Sequence, residues 1–224
     1  MKWKDLIGNK KNIVFVGESG CGKTELALNC AVRLAAESCM SKQEITLIDM
    51  DQTKGVYRAR DFRDIMESRN VSLVCGEHFL DTPVVPPGVI RLLTEDGHVN
   101  VLDVGGNETG ALTMGQFSEY IRQTASVIVF VINPFRIFSL DEAHIALMAE
   151  RIKAYGDFDR FIFAVNPNMG EYTDMEMAAE GIKTAADLAE KLGVEISAIT
   201  LADWLRHDKY GDKVIYIKRY LQYP

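Results

Sequence analysis

The chain has only four cysteines in 224 residues, and none of them forms a C-x-x-C pair. Cys21, Cys30 and Cys39 are nine residues apart, a step that puts successive members on opposite faces of a helix. With Cys75 distant as well, the spacing argues against a metal or cluster site within one chain, and buried free thiols are expected. Cys21, inside a glycine-rich loop, is the one expected to be open to oxidation. Long apolar runs are also missing. The longest, Ser126 to Ile132, is followed by Asn133-Pro134 and falls far short of the roughly 20 residues a membrane helix needs. Met1-Lys2-Trp3-Lys4-Asp5 has no apolar leader, so a cytoplasmic location is expected. There is no low-complexity tract, and the echo between Val-Ile-Asn133-Pro134 and Ala-Val-Asn166-Pro167 is too slight to make a repeat architecture. An excess of basic charge is lacking too: the formal net charge of −7 weighs against DNA and anionic membranes. The last residues depart from this, with Arg206, His207, Lys209, Lys213, Lys218 and Arg219 among Tyr210, Tyr216, Tyr220 and Tyr223. Asp208 and Asp212 dilute them, and a solvated face is expected.

What the chain does have is concentrated near its start. Ile13-Val-Phe-Val is an apolar strand-like run feeding Gly17-Glu18-Ser19-Gly20-Cys21-Gly22-Lys23-Thr24, after which Glu25-Leu-Ala-Leu begins a helix-forming stretch. This is the phosphate-binding loop in its strand-to-helix context. The glycines let the backbone curl so that N–H groups from Glu18 to Thr24 turn inward as an anion nest at a helix N-terminus. Lys23 can reach β- and γ-phosphate oxygens, and the Thr24 hydroxyl is placed to ligate Mg²⁺.

Apolar runs and helical stretches alternate to the end of the chain. The pattern predicts strands over Ile45 to Ile48, Val71 to Val74, Ser126 to Ile132, Phe161 to Val165 and Ile196 to Leu201. Helices are predicted from Lys23 to about Glu37, Arg58 to Ser68, Thr113 to Thr124, Leu140 to Tyr155 and Thr184 to Leu192. Pro83 to Gly88 reads as a loop, and Glu95-Asp96-Gly97 predicts a hairpin joining a strand over Val89 to Leu93 to one over His98 to Val104. The expected fold is a single α/β domain over 1–224, a three-layer sandwich with a mostly parallel sheet.

In such sheets ligands bind at the carboxyl ends of strands. Asp49, Asp51 and Asp103 end apolar strands there, and Asp103-Val-Gly105-Gly106 has the form of a Mg²⁺-binding carboxylate followed by a flexible phosphate-sensing segment. The phosphate loop, Leu-Ile-Asp49-Met-Asp51, Asp103-Val-Gly-Gly, Ala125 to Pro134, Phe161 to Asn166 and Leu192 to Asp203 resemble, in chain order, the motifs of MinD/ParA-type ATPases of the SIMIBI class. That resemblance implies ATP and Mg²⁺ as ligands and slow, partner-stimulated hydrolysis that switches affinity for a protein partner. It also implies a nucleotide-dependent homodimer. Residue by residue, it implies that Lys23 binds phosphate, Asp51 orients the attacking water, Asp49 supports the Mg²⁺ shell and Asp103 is the Walker B carboxylate. It further implies that Gly106 lies at the γ-phosphate and Asn166 contacts the base, while Asn133 is structural. The chain departs from the family at Glu18, where the deviant loop carries a signature lysine that reaches across a dimer, and in the expected hairpin before Asp103.

Three rivals are weighed against this. Asp103-Val-Gly-Gly-Asn107 also resembles the second switch of heterotrimeric G-protein alpha subunits, and a hairpin leading into it is typical of Ras-like GTPases. No Asn-Lys-x-Asp guanine-reading motif is present, however: Asn166-Pro-Asn-Met lacks both the lysine and the carboxylate. A small-molecule kinase would need an arginine lid, for which Arg58, Arg60, Arg63 and Arg69 are candidates, though Asp61, Asp64 and Glu67 among them suggest a salt-bridged helix face. Thr184 to Ile199 mimics a DNA-binding helix-turn-helix, but Ser197-Ala-Ile-Thr-Leu-Ala offers few groups for bases or phosphates.

Overall fold

The computed structural model describes residues 1–38, 43–51, 59–76, 88–106, 108–139, 141–154, 161–207 and 211–221. Among these, eight strands form one sheet: β1 (Asn12–Gly17), β2 (Glu44–Met50), β3 (Val71–Cys75), β4 (His98–Val104), β5 (Ser126–Ile132), β6 (Phe161–Val165), β7 (Ile196–Ala202) and β8 (Val214–Ile217). Their spatial order is β3-β2-β4-β1-β5-β6-β7-β8, and every pairing is parallel. α1 (Trp3–Ile7) precedes β1, and the parallel strands that follow need crossovers, which contain α2 (Lys23–Ser38), α3 (Arg63–Ser68), α4 (Val89–Thr94), α5 (Glu108–Arg122), α6 (Glu142–Ala154) and α7 (Met175–Leu192).

Alternation along each strand divides the core into two faces. Ile13, Phe15, Leu47, Val101 and Val129 pack with Leu26, Ala27 and Ala31 of α2, Trp3 of α1 and Met66 of α3. Val14, Val16, Ile48, Leu102 and Phe130 face the other way, against Leu93 of α4, Met114 and Phe117 of α5, Ile145 and Ile152 of α6 and Leu188 of α7. The result is a three-layer α/β sandwich. β5 is buried at every position, as its unbroken apolar run requires of a central parallel strand.

The expected hairpin is not there: Val89 to Thr94 is α4, not a strand. A strand would place Arg91 on the same face as Val89 and Leu93. A helix instead brings Val89 and Leu93 together, both buried, and sends Arg91 to pair with Glu95 at 3.2 Å. Asp96-Gly97 still turns the chain, with Gly97 at φ +89, but from helix to strand. The Pro-rich loop lies outside the described residues except for Gly88. The helix predicted from Arg58 begins as a 3-10 turn over Ala59–Phe62 and continues as α3. α7 starts nine residues earlier than expected, capped by Asp174, whose side chain accepts from Met177 N at 2.8 Å. The segment that mimicked a recognition helix is β7, bonded between β6 and β8. α1 and β8, with five and four residues, were too short to register as periodic patterns.

Candidate functional site: a phosphate loop at the edge of the sheet

β1 sits between β4 and β5, so the loop leaving it opens at the carboxyl edge where the two halves of the sheet diverge. Two glycines are fixed by close approach. Gly17 (φ +139) lies so near the Val131 carbonyl, and Gly22 (φ +98) so near the Asn166 amide, that a Cβ at either would collide. Lys23 is buried at the start of α2 and donates from Nζ to the Glu18 carbonyl at 2.8 Å. Cys21 is fully buried and burial pushes its thiol up, with Lys23 pulling it partly back. Burial and a raised thiol both disfavour the thiolate that oxidation needs, an environment unlike the open one expected for an oxidation-sensitive cysteine.

Asp49 and Asp103 are register neighbours on β2 and β4, which brings their carboxylates together. Asp103 is pushed up to about 7, first by burial and then by Asp49, with Thr24 and Lys23 pulling it down. Neither of its oxygens has a fully formed hydrogen bond among the described residues. A buried, orphaned carboxylate beside a threonine hydroxyl is a hard-oxygen donor set that fits Mg²⁺. No group of three His, Cys, Asp or Glu side chains able to hold a metal occurs among the described residues, so a cation here would complete its shell with phosphate or water. Asp49 is committed elsewhere: Arg60 Nε donates to it at 3.0 Å and Asp51 N at 3.1 Å. Burial still leaves its carboxyl raised. Asp51 lies against the glycine segment, 2.9 Å from where a Cβ on Gly105 would stand.

Gly106 touches the phosphate loop directly. A Cβ there would be 2.5 Å from Ser19 N and 2.7 Å from Lys23 Nζ. Asn166, almost wholly buried, donates from Nδ2 to the Cys21 carbonyl at 2.9 Å and accepts from Thr200 Oγ1 at 3.0 Å. Its visible work is thus to tie the ends of β6 and β7 to the loop. Asn133 closes β5, accepting from Phe135 N and donating to the Asn168 carbonyl. Glu18 does not face the loop's interior alone: its Oε1 is hydrogen-bonded to Nε2 of His144 on α6. Glu25 turns away from the phosphates and accepts from Tyr220 N and Leu221 N at 2.6 and 3.0 Å.

The loop, Thr24, Asp51, Asp103, Gly106 and Asn166 therefore converge, while Asp49, Glu18 and Glu25 are each engaged by a partner that the motifs did not announce. His144, Asn29 and Arg136 were missed, and Arg60, weighed only as part of an arginine lid, instead engages Asp49. Arg136, whose Nε donates to the Gly20 carbonyl at 3.1 Å, follows Asn133-Pro134 at the end of β5, and strand order would have found it. His144 has no local signal. At the far end, Arg206 lies over Tyr216, Lys213 pairs with Glu195 and Arg219 with Glu171, so the described part of the basic segment is largely paired within the chain.

No family model matches the chain, and no curated protein matches its sequence. Among solved structures the fold resembles the 54 kDa protein of the signal recognition particle from Aeropyrum pernix K1 in complex with GDP. The TM-score is 0.54 at 15% identity, covering 89% of this chain and 43% of that one. It also resembles FtsY from Mycoplasma mycoides, with TM-score 0.52 at 14% identity over 90% of this chain and 67% of that one. The chain thus spans less than half the length of the first. At these identities the likeness is one of fold, an α/β P-loop NTPase-like sandwich, and it does not single out the MinD/ParA branch. No helix among the described residues is long and apolar enough to cross a membrane.

Proposed function

We propose that this chain is a Mg²⁺-dependent nucleoside triphosphatase with slow turnover, with ATP as its nucleotide, and that hydrolysis switches its affinity for a protein partner. The observation that carries this is the contact of Gly106 with Ser19 N and Lys23 Nζ. An anion held by the loop meets Lys23 and the segment after β4 together, so that segment reads whether a terminal phosphate is present. Thr24 and Asp103 would hold the cation, which when bound supplies charge at the phosphate oxygens. Asp51, beside Gly105, orients water. Phe138, 63% exposed, stands beside the Glu18–His144 pair, its ring 5.8 Å from that of His144, and Ile137 before it is 85% exposed. They are apolar groups that a partner would cover.

ATP is favoured over GTP because, among the described residues, the carboxylate lining the cleft beside Asn166 is Glu25, which is already committed and leaves none for guanine N–H groups. Glu25 is taken by the C-terminal amides, and Asn168 Oδ1 accepts from Gly170 N and Thr173 Oγ1. GTP remains the second reading, supported by the GDP bound to the Aeropyrum protein; the parallel sheet removes the hairpin that had made the Ras-like variant attractive. The kinase alternative loses support at Arg60 and Arg63, which reach Asp49 and the Leu73 carbonyl rather than the loop. Phosphate release with ATP and with GTP, each competed by the other, tests the proposal. Mg²⁺-dependent turnover of ATP that Asp51→Ala abolishes without loss of binding is expected. Preferential turnover of GTP would replace the nucleotide, and the absence of any turnover would contradict the proposal.

A further inference from the structure

A narrow cleft continues from the phosphate loop, with Gly20, Gly22 and Asn166 on one side and Arg219 and Leu221 on the other. The far wall belongs to neither helix nor strand: Lys218 to Leu221 is irregular chain following β8. Two side chains of α2 hold it. Asn29 donates from Nδ2 to the Lys218 carbonyl at 2.7 Å and accepts the Lys218 N–H at 2.7 Å, matching both backbone groups of one residue. One turn earlier Glu25 receives the amides of Tyr220 and Leu221. Both side chains are buried, at 6% and 5% exposure, and burial pushes the Glu25 carboxyl up despite its two donors. Tyr220 and Leu221 also pack against the core, and a buried carboxylate and a buried amide spent on a segment that belongs to no helix or strand are costly unless that segment's position matters.

We propose that Lys218 to Leu221 is the base-side wall of the nucleotide site, and that Glu25 and Asn29 are positioning residues that hold this wall against the helix of the phosphate loop. The inference rests on the chain being a nucleotide-binding protein. The wall's chemistry follows from its bonding. With the amides of Lys218, Tyr220 and Leu221 turned to α2, it has few donors left to read a base edge. It offers instead the Leu221 side chain and the Arg219 guanidinium, which is held by the Leu221 carbonyl at 2.8 Å and by Glu171 at 3.5 Å. A planar cation and an aliphatic side chain suit the face of a flat heteroaromatic ring. The wall therefore contributes affinity to any purine nucleotide and little discrimination between purines.

The test compares binding of ATP and of inorganic tripolyphosphate, both with Mg²⁺, to the full chain and to Asn29→Ala, Glu25→Gln and Arg219→Ala, each checked by circular dichroism. Asn29→Ala is expected to weaken ATP at least tenfold and tripolyphosphate less than twofold. Glu25→Gln, which keeps one acceptor, should give an intermediate loss. Arg219→Ala leaves the α2 clamp in place and guards against misfolding of the other variants; it too should weaken ATP selectively. Parallel loss of both ligands in all three variants, or no loss of either, overturns the inference. Wild type that binds tripolyphosphate but shows no added affinity for ATP overturns it as well, while wild type that binds neither overturns the nucleotide reading beneath it.

Discussion

At Asp103 the carboxyl rises from 3.8 to about 7, so between those values the native state holds a proton that the unfolded chain releases. A carboxyl raised in this way costs stability as pH climbs through that window, and the full penalty is present above it. In metal-free and nucleotide-free protein, Asp103→Asn should therefore be more stable than wild type at pH 8, by on the order of 4 kcal/mol. The two should be nearly equal at pH 4. Urea unfolding at both pH values measures the gap, and a pH-independent gap would count against the buried-carboxylate account. The same substitution should remove most of the Mg²⁺ dependence of nucleotide binding. Gly106 makes a second case at this scale. An added Cβ would press on Ser19 N and Lys23 Nζ, so Gly106→Ala should lower turnover by more than about tenfold while ADP still binds; unchanged turnover would show that this contact does not sense phosphate. The phosphate loop was legible because its chemistry lies within eight consecutive positions. The Glu18–His144 bond spans 126 positions and the Glu25–Tyr220 bond 195, and no local pattern encodes a meeting across such distances.

At the scale of elements, the strands were legible where burial on both faces forced unbroken apolar runs, as in β5 and β6. α4 was not, because six residues give barely more than one helical period and Asp-Gly turns serve helices and strands alike. What α4 does is shown by a buried polar ladder at the other end of the sheet. Asn12 Nδ2 donates to Thr124 Oγ1 at 2.7 Å and to the Leu93 carbonyl at 3.2 Å, while Asn100 Nδ2 donates to Asn12 Oδ1 at 2.8 Å and to the Leu92 carbonyl at 2.7 Å. These bonds tie β1 and β4, the two strands that carry the site, to the end of α4 and the end of α5. Asn12→Ala leaves several buried partners unmatched and should destabilise by about 2–4 kcal/mol, seen as a lower urea midpoint with an unchanged slope. A loss under about 0.5 kcal/mol would mean that the ladder is dispensable.

For the whole molecule, the sheet order puts every functional strand end at one edge, and the motif order along the chain was enough to anticipate that. Self-association is a separate matter, and Glu18 is the position at which the proposed dimer is tested. Where MinD/ParA-type proteins are expected to present a lysine to a second copy, this chain has Glu18 bonded to His144, a carboxylate that a neighbouring triphosphate would repel. Sedimentation velocity in a non-hydrolysable ATP analogue should accordingly show weak dimerisation at best, tightened by Glu18→Lys. A tight analogue-dependent dimer in wild type, indifferent to that substitution, would place the contacts elsewhere.

The central claim is that the loop after β1 binds the phosphates of a Mg²⁺-nucleotide through Lys23, and equilibrium titration with a fluorescent ATP analogue tests it most directly. Wild type should bind with an affinity that Mg²⁺ strengthens, and Lys23→Ala, with its circular dichroism unchanged, should lose at least two orders of magnitude, roughly 3 kcal/mol. Equal affinity in the two proteins would contradict the account.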